Sequence, residues 1–225
     1  MMAPSARLAP GTPAEVRDEY AAVATRPLAH ERAKWGSGAG MRARFRLALE
    51  SVALDEVRRW LDVGCGEAGL FALAEAEGAR FDALVGVDLV ESMLARARER
   101  GLASPARFAC ADLVDAPSFG SFDLVTLIGV LQRCGHAPQE LLAAAVANLA
   151  PSGQLFLTSK NAGWSRFERD LEPEPGHSWF DPDEIAALAG GLGVAVEALG
   201  GFEPRSGERL ACRDAHTFYL YGRRA

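Results

Sequence analysis

Apolar residues follow two different patterns along the chain. Between residues 13 and 54 they recur at three- and four-residue steps, as Val16, Tyr20 and Val23 do, which is the spacing of an amphipathic helix. A glycine-rich stretch at residues 35–40 interrupts this pattern. The spacing therefore predicts two helices with a break between them.

From residue 59 onward, short apolar runs alternate with helical stretches. Strands that alternate with helices favour a parallel sheet that is covered by helices on both faces. We therefore expect an N-terminal helical segment or lid (1–56) and one Rossmann-like α/β domain (57–225), in which residues 161–180 cover the acceptor side. The predicted strands are 60–63, 83–87, 107–110, 122–128, 154–158, 194–199 and 217–221, and the predicted helices are 68–77, 91–100, 138–149 and one that begins after Asp181.

Composition narrows the range of partners. The 225 residues, 49% of them hydrophobic, suit one ordinary domain, and the net charge of -6 argues against a protein that binds a nucleic-acid backbone. All but two of the 24 basic residues are arginine, which is typical of a GC-rich genome. The four cysteines form no C-x-x-C pair, residues 1–11 hold no apolar signal core, and no apolar run reaches the ~20 residues of a membrane span. We expect a cytoplasmic protein.

The strongest local signal is the glycine-rich stretch that runs from Leu61 to Gly69. Gly64, Gly66 and Gly69 form a G-x-G-x-x-G pattern between a predicted strand and a predicted helix. Asp88 lies at the end of the next strand, where an acid can accept hydrogen bonds from both hydroxyls of a ribose. This arrangement suits either a nicotinamide dinucleotide or S-adenosylmethionine, and isolated matches of this kind are also found in plain turns.

Asp62 favours S-adenosylmethionine over a nicotinamide dinucleotide. Its negative charge, two positions before Gly64, would repel a pyrophosphate but favour a ligand that carries an ammonium and a sulfonium group. Asp112 follows the third strand and is placed to accept a hydrogen bond from the amino group of an adenine. Each acid alone could be a helix cap, but together they stand at the carboxyl ends of successive strands, where ligands of open α/β sheets bind.

These motifs resemble class I S-adenosylmethionine-dependent methyltransferases. The resemblance implies a Rossmann-like, mostly parallel α/β sheet of seven strands with an antiparallel last strand, helices on both faces, and S-adenosyl-L-methionine as the cofactor. The residues that carry it are Leu61–Gly66, Val85–Asp88 with Ser92–Leu94, Ala111–Leu113, Phe122–Val125 continuing to Val130–Leu131, and Leu149–Leu155.

The same resemblance implies which residues contact the cofactor. The loop with Asp62, Gly64, Cys65 and Gly66 contacts the methionine end, and Asp88 binds the ribose. The remaining positions surround the adenine or close the other side of the cofactor, and they are Leu89, Met93, Ala111, Asp112, Leu113, Ile128 and Gly129.

A narrower likeness is to ubiquinone-biosynthesis-type O-methyltransferases. It implies that Arg44, in the helix before the first strand, binds the cofactor carboxylate. The chain departs from that group at Gln132 and Arg133, where an acid and a histidine are common, and in an acidic segment between Asn161 and His177. The acidic segment favours a soluble small molecule over a membrane-borne quinone, and a natural-product intermediate would suit the composition.

Two histidines are candidates for a general base. His136 follows the fourth strand and could face the substrate, although an exposed loop position is an alternative. His177 stands beside Trp179 and Phe180, which suits an acceptor pocket, although packing at the start of a helix explains it equally well. No cluster has the spacing of metal ligands, so we assign no metal ligand and leave a role for a divalent ion open. The prediction is O-methylation of a small molecule, and the alternatives are an NAD-type oxidoreductase or a cofactor-binding protein of this fold without methyl transfer.

Overall fold

The computed structural model describes residues 11–116, 118–165 and 177–225. These residues form one sheet of eight strands in the order β3-β2-β1-β4-β5-β8-β6-β7. Strands β1 to β5 run parallel to one another, and β8 is antiparallel to both β5 and β6. The strands are β1 (Arg59–Val63), β2 (Ala83–Asp88), β3 (Ala106–Cys110), β4 (Phe122–Ile128), β5 (Leu149–Lys160), β6 (Val194–Glu203), β7 (Glu208–Leu210) and β8 (Thr217–Arg224).

Helices pack on both faces of this sheet, as the strand–helix alternation predicted. One face carries α3 to α5, and the other carries α6 and α7. The helices of the described residues are α1 (Pro13–Val23), α2 (Ala29–Arg32), α3 (Gly38–Ser51), α4 (Gly69–Ala76), α5 (Glu91–Glu99), α6 (Pro138–Ala147) and α7 (Pro182–Gly191).

Several boundaries differ from the sequence-based expectation, two of them for identifiable physical reasons. The first predicted helix ends at Val23, and the short α2 follows Pro27, since a proline disfavours helical backbone in the residue before it. Strand β5 begins at Leu149 rather than at residue 154, because Leu149 pairs with Phe122 before a bulge in the β4–β5 ladder.

The predicted count of seven strands is wrong by one. The additional strand, β7, is a three-residue hairpin partner of β6 at the edge of the sheet, and the amide of Gly207 closes its turn on the carbonyl of Glu203 at 2.9 Å. Glu208 and Arg209 are exposed, so this strand shows no apolar alternation from which it could be predicted.

Packing in the core fixes the central strands relative to one another, so that their carboxyl ends lie along one edge of the sheet. Trp60 of β1 is fully buried and packs edge-on against Phe71 and Phe81 at centroid distances of 5.0 and 5.3 Å. Its indole N–H donates to Thr126 of β4 at 2.9 Å, which ties β1 to its neighbour. Rigid strands therefore present the glycine loop, Asp88 and Asp112 along one edge.

Candidate active site

A cleft lies at the carboxyl ends of β1 to β4. Most of the predicted cofactor residues line it, as the strand order requires, because the ends of parallel strands meet at one edge of the sheet. Asp62, Cys65, Arg44 and His177 lie outside the lining. The predicted residues in the lining are Gly64, Gly66, Asp88, Leu89, Met93, Ala111, Asp112, Leu113, Ile128, Gly129 and His136.

The glycine loop depends on backbone conformations that favour glycine. Gly64 has φ +68° and Gly66 has φ +52°. The amide of Gly64 donates to the carbonyl of Val87 at 2.7 Å, which turns the chain tightly over the end of β2. A Cβ at Gly64 would also lie 2.4 Å from a methyl carbon of Val130, so the loop has no room for a side chain.

Replacing Gly64 with alanine should cost more stability than the same change at Gly101. The two glycines have φ +68° and φ +67°, but a Cβ at Gly101 meets nothing within 4 Å. Gly101→Ala should therefore cost only the left-handed strain of about 1–2 kcal/mol, while Gly64→Ala adds about 1–3 kcal/mol of overpacking. Denaturant unfolding measures both variants. The combination of Gly64→Ala with Val130→Ala should recover part of the difference, and equal losses at the two glycines would contradict the clash.

Asp88 joins the glycine loop to the end of β2. Its two carboxylate oxygens accept hydrogen bonds from the amides of Gly66 and Val90, each at 2.9 Å. Burial raises the pKa of Asp88, while the amides of Gly66, Val90 and Leu89 act in the opposite direction. The carboxylate is thus held in one orientation at the floor of the cleft.

Asp62 lies beneath the glycine loop rather than in the cleft wall. It is 4% exposed and accepts a hydrogen bond from the hydroxyl of Thr126 at 2.6 Å. Burial raises its pKa to about 7 from an ordinary value of 3.8; the Thr126 bond opposes this and the nearby charge of Asp88 adds to it. A cation bound above the loop would favour the ionised form of Asp62.

The raised pKa of Asp62 predicts how stability depends on pH. Between about pH 4 and pH 7 the folded protein keeps a proton that the unfolded chain has lost, so the free energy of unfolding should fall as the pH rises through this range. Asp62→Asn removes this contribution. Thermal unfolding at pH 5 and pH 8 should show a smaller decrease for the variant than for the wild type, and an identical pH dependence would contradict the assignment.

Asp112 and His136 form a direct pair. The Nε2 atom of His136 lies 2.7 Å from one carboxylate oxygen of Asp112, and the other oxygen accepts a hydrogen bond from the amide of Val114 at 2.9 Å. The two side chains are 16% and 13% exposed. His136 is therefore mostly buried, which differs from the exposed loop position that the sequence left open.

Arg44 and Cys65 lie just behind the cleft lining. The Arg44 guanidinium stacks on the ring of Trp35, which does line the cleft, at 4.9 Å from the ring centroid. Burial lowers the pKa of Arg44 to about 10, and the charge of Glu203 opposes this. The Cys65 thiol is buried against Gly86, where a Cβ would lie 2.6 Å from its sulfur, and burial raises its pKa.

His177 lies beside the carboxyl ends of β4 and β5. The amide of the next residue, Ser178, donates to the carbonyl of Gln132 at 2.9 Å, just after β4. Phe180 pairs with Asn161 at the end of β5, and Trp179 is buried against the ammonium of Lys160, 4.6 Å from the ring centroid. Residues 166–176 of the predicted acceptor-side cover lie outside the described residues.

Sequence reasoning missed the residues that the N-terminal helices contribute. Val16 and Tyr20 of α1 and Trp35 after α2 line the cleft, because α1 and α2 lie over its opening. Arg133, where the chain departs from the ubiquinone-biosynthesis group, is only 6% exposed. It pairs with Glu19, and its guanidinium carbon lies 5.5 Å from the ring centroid of Tyr20. The only sequence signal for this pair was the departure at Arg133 itself.

Within the described part of the chain, no helix has both the length and the apolar character that a membrane crossing requires. Over the same residues, no group of three His, Cys, Asp or Glu side chains is arranged to hold a metal ion.

The residues of the cleft fit S-adenosylmethionine. Asp88 and Asp112 supply acceptors for a ribose and an adenine amino group, and Leu89, Met93 and Leu113 supply apolar surface beside them. The buried carboxyl of Asp62 supplies negative charge beneath the loop. The glycine loop allows backbone to approach a ligand closely.

Comparison with known proteins agrees with this fit. Residues 61–157 match the family model described as a methyltransferase domain. The chain is 30% identical to a ubiquinone biosynthesis O-methyltransferase of Xanthomonas oryzae pv. oryzae (strain PXO99A), over 91% of each chain. It is 35% identical to a protein of the same name from Pseudomonas paraeruginosa, over 71% of this chain and 75% of that relative.

Solved structures show the same fold at lower sequence identity. The N-methyltransferase NodS from Bradyrhizobium japonicum WM9, in complex with S-adenosyl-L-homocysteine, superposes with a TM-score of 0.69 at 16% identity, over 93% of this chain and 98% of NodS. The [4+2]-cyclase SpnF superposes with a TM-score of 0.70 at 19% identity, over 98% of each chain. These structures show the fold, while the family model and the sequence relatives confirm the predicted methyltransferase function and give no support to an NAD-type oxidoreductase. The chain belongs to the S-adenosylmethionine-dependent methyltransferases, whose cofactor is S-adenosyl-L-methionine.

Proposed function

We propose that this enzyme transfers a methyl group from S-adenosylmethionine to a hydroxyl oxygen of a small-molecule acceptor. The observation that carries the choice of oxygen is the similarity, over nearly the whole chain, to proteins named O-methyltransferases. The placement of His177 beside the ends of β4 and β5 supports it, because a hydroxyl acceptor benefits from a nearby base.

The proposed cofactor contacts follow the sheet edge. Asp88 accepts the ribose hydroxyls, Ala111 to Leu113 contact the adenine edge, and Leu89 with Met93 cover its faces. On the other side of Asp88, the Gly64–Gly66 loop and Arg44 receive the amino-acid end, with Ile128 and Gly129 closing the cleft. Asp62 and Cys65 act from beneath the loop, by charge and by packing respectively.

The proposed chemistry is an in-line displacement. The cofactor supplies an electrophilic methyl group, whose bond to sulfur breaks as the bond to the acceptor oxygen forms. His177 takes the proton of the acceptor hydroxyl. Trp179 and Phe180 hold His177 near the cleft, since both are at most 3% exposed. Trp179 packs on Lys160, and Phe180 pairs with Asn161. Positioning of this kind supplies much of the rate enhancement.

We further propose that residues 1–56 act as a lid. Helix α1 contributes Val16 and Tyr20 to the cleft lining, and Ala33 contributes from the end of α2, so a bound cofactor would lie beneath them. A lid that excludes water strengthens the electrostatic interactions in the cleft. Because Glu19 neutralises Arg133, the cleft does not require an anionic acceptor, and a neutral hydroxyl compound such as a natural-product phenol is the acceptor class that we propose.

Two acceptors that differ only in the nucleophile test the choice of oxygen. Catechol and 1,2-diaminobenzene share a ring and are incubated separately with enzyme and methyl-labelled S-adenosylmethionine. We expect label in catechol and little in the diamine. Label in the diamine alone would move the proposal to N-methylation.

His177→Ala should slow transfer to the hydroxyl acceptor by about 100-fold or more, because general-base catalysis contributes about 10²–10⁴-fold. Its affinity for S-adenosylhomocysteine, measured by calorimetry, should stay close to that of the wild type, since His177 lies outside the cleft lining. The matched control is His216→Ala, which removes a histidine that packs on Trp164 and Trp179. If His177→Ala instead loses cofactor affinity, its role is structural.

A further inference from the structure

The hydrogen bond to Asp112 distinguishes His136 from His177, the other histidine that the sequence identifies as a candidate base. Both members of the pair line the cleft, and their neighbours in that lining include Leu113 and Leu141. Asp112 follows β3, which is the outermost parallel strand, whereas His177 lies beside β4 and β5. The pair thus lies at the end of the cleft where the adenine is proposed to bind.

The hydrogen bond fixes where the His136 ring carries a proton. An ionised carboxylate can only accept, so the 2.7 Å contact requires a proton on Nε2 of His136. The other ring nitrogen, Nδ1, faces the carboxylate of Glu140 at 4.0 Å. Nε2 is therefore engaged by Asp112, and Nδ1 has an acid of α6 beside it.

The same contact restricts the orientation of the Asp112 carboxylate. Its two oxygens receive one donor each, from His136 Nε2 at 2.7 Å and from the amide of Val114 at 2.9 Å. A carboxylate has about four lone-pair positions, so two remain for a ligand. Donors on both oxygens hold the carboxylate plane in place, which is the arrangement that an exocyclic amino group needs for recognition.

We propose that His136 is a positioning residue that orients Asp112 for the 6-amino group of the adenine, and that it is not the general base. This inference rests on the proposed placement of the adenine at Asp112. It makes the pair a determinant of cofactor specificity, because a 6-oxo purine presents an acceptor to Asp112 in place of a donor. Buried polar groups that lose their partner discriminate strongly between such ligands.

Direct binding tests the proposal without the need for turnover. S-adenosylhomocysteine and S-inosylhomocysteine, which carries an oxo group in place of the 6-amino group, are titrated calorimetrically into wild type, His136→Ala and His136→Gln. We expect His136→Ala to bind the adenosyl ligand about tenfold more weakly, which corresponds to about 1.4 kcal/mol, and to lose most of the preference over the inosyl ligand. His136→Gln offers an amide donor and should recover part of both.

Turnover distinguishes the roles of the two histidines. At saturating cofactor, kcat of His136→Ala should stay within about twofold of the wild type, while KM for the cofactor rises. A lower kcat with unchanged ligand affinity would make His136 the base and overturn the proposal. An equal loss for the adenosyl and inosyl ligands would show a structural role only. Failure of the wild type to bind S-adenosylhomocysteine would instead refute the cofactor placement, so the two failures can be told apart.

Discussion

Asp88→Ala should weaken the binding of S-adenosylhomocysteine about 100-fold. The side chain is proposed to accept two ribose hydroxyls, and hydrogen bonds to a charged group contribute about 1.5–3 kcal/mol each, so a loss of about 3 kcal/mol is expected. The same carboxylate holds the amides of Gly66 and Val90, so its removal also loosens the glycine loop. Calorimetric titration measures the affinity.

Asp123→Ala is the matched control for this change. The carboxylate of Asp123 also accepts two backbone amides, those of Arg58 and Arg59 at 2.9 and 2.8 Å, but it does so at the opposite edge of the sheet. We expect this variant to lose stability without losing affinity for the ligand. Unchanged affinity in Asp88→Ala would refute the ribose assignment.

Glu67→Gln should lower the free energy of unfolding by about 3 kcal/mol. Glu67 follows the glycine loop and pairs with Arg32 of α2, Nη2 to Oε2 at 2.9 Å, with both side chains only 8% exposed. Arg96 and Arg100 lie 3.6 and 3.7 Å from the same carboxylate. Removing one member of a buried ion pair costs about 3–5 kcal/mol, since the partner charge stays buried without compensation.

Thermal unfolding gives the size of this effect. For a chain of this length, about 3 kcal/mol corresponds to a melting temperature about 6–12 °C lower. The control, Glu91→Gln, removes a carboxylate that pairs with Arg98 on the surface, where ion pairs contribute little, and should leave the melting temperature nearly unchanged. Similar shifts for the two variants would show that the Arg32 pair does not anchor α2 to the loop.

Much of the sheet and of the cleft floor could be predicted from sequence because the determinants are local. Strand β4 is a run of β-branched and apolar residues and begins and ends where the pattern predicts. Asp88 is the last residue of β2 and Asp112 lies two residues after β3, and parallel strands place such residues at one edge. Turn glycines such as Gly64 can be predicted equally well, because their backbone conformation depends on a few neighbouring residues.

The remaining parts of the site depend on side chains that are distant in the sequence. His136 meets Asp112 across 24 residues, and Arg133 meets Glu19 across 114. Neither contact follows from periodicity, since each depends on how a loop after β4 packs on a separate element. Arg133 could be identified only as a departure from a familiar pattern, and the ion pair with α1 that accompanies it became visible in three dimensions.

The position of Asp62 illustrates the same limit at short range. Sequence placed its charge next to the glycine loop, which is where it lies, but could not show that the carboxyl is buried against Thr126 with a pKa near 7. Burial of a group on β1 depends on Thr126 of β4, the strand beside it. The influence on a ligand that we propose for Asp62 is therefore exerted through the loop rather than by direct contact with the cleft.

Transfer of a deuterated methyl group tests the central claim most directly. The enzyme is incubated with S-adenosylmethionine that carries a CD₃ group and with a panel of phenolic acceptors, and the products are analysed by mass spectrometry. The account predicts S-adenosylhomocysteine together with an acceptor that carries one CD₃ group on oxygen. Tight binding of S-adenosylhomocysteine without any CD₃ transfer, to oxygen, nitrogen or carbon, would contradict it and identify a cofactor-binding protein that does not transfer methyl groups.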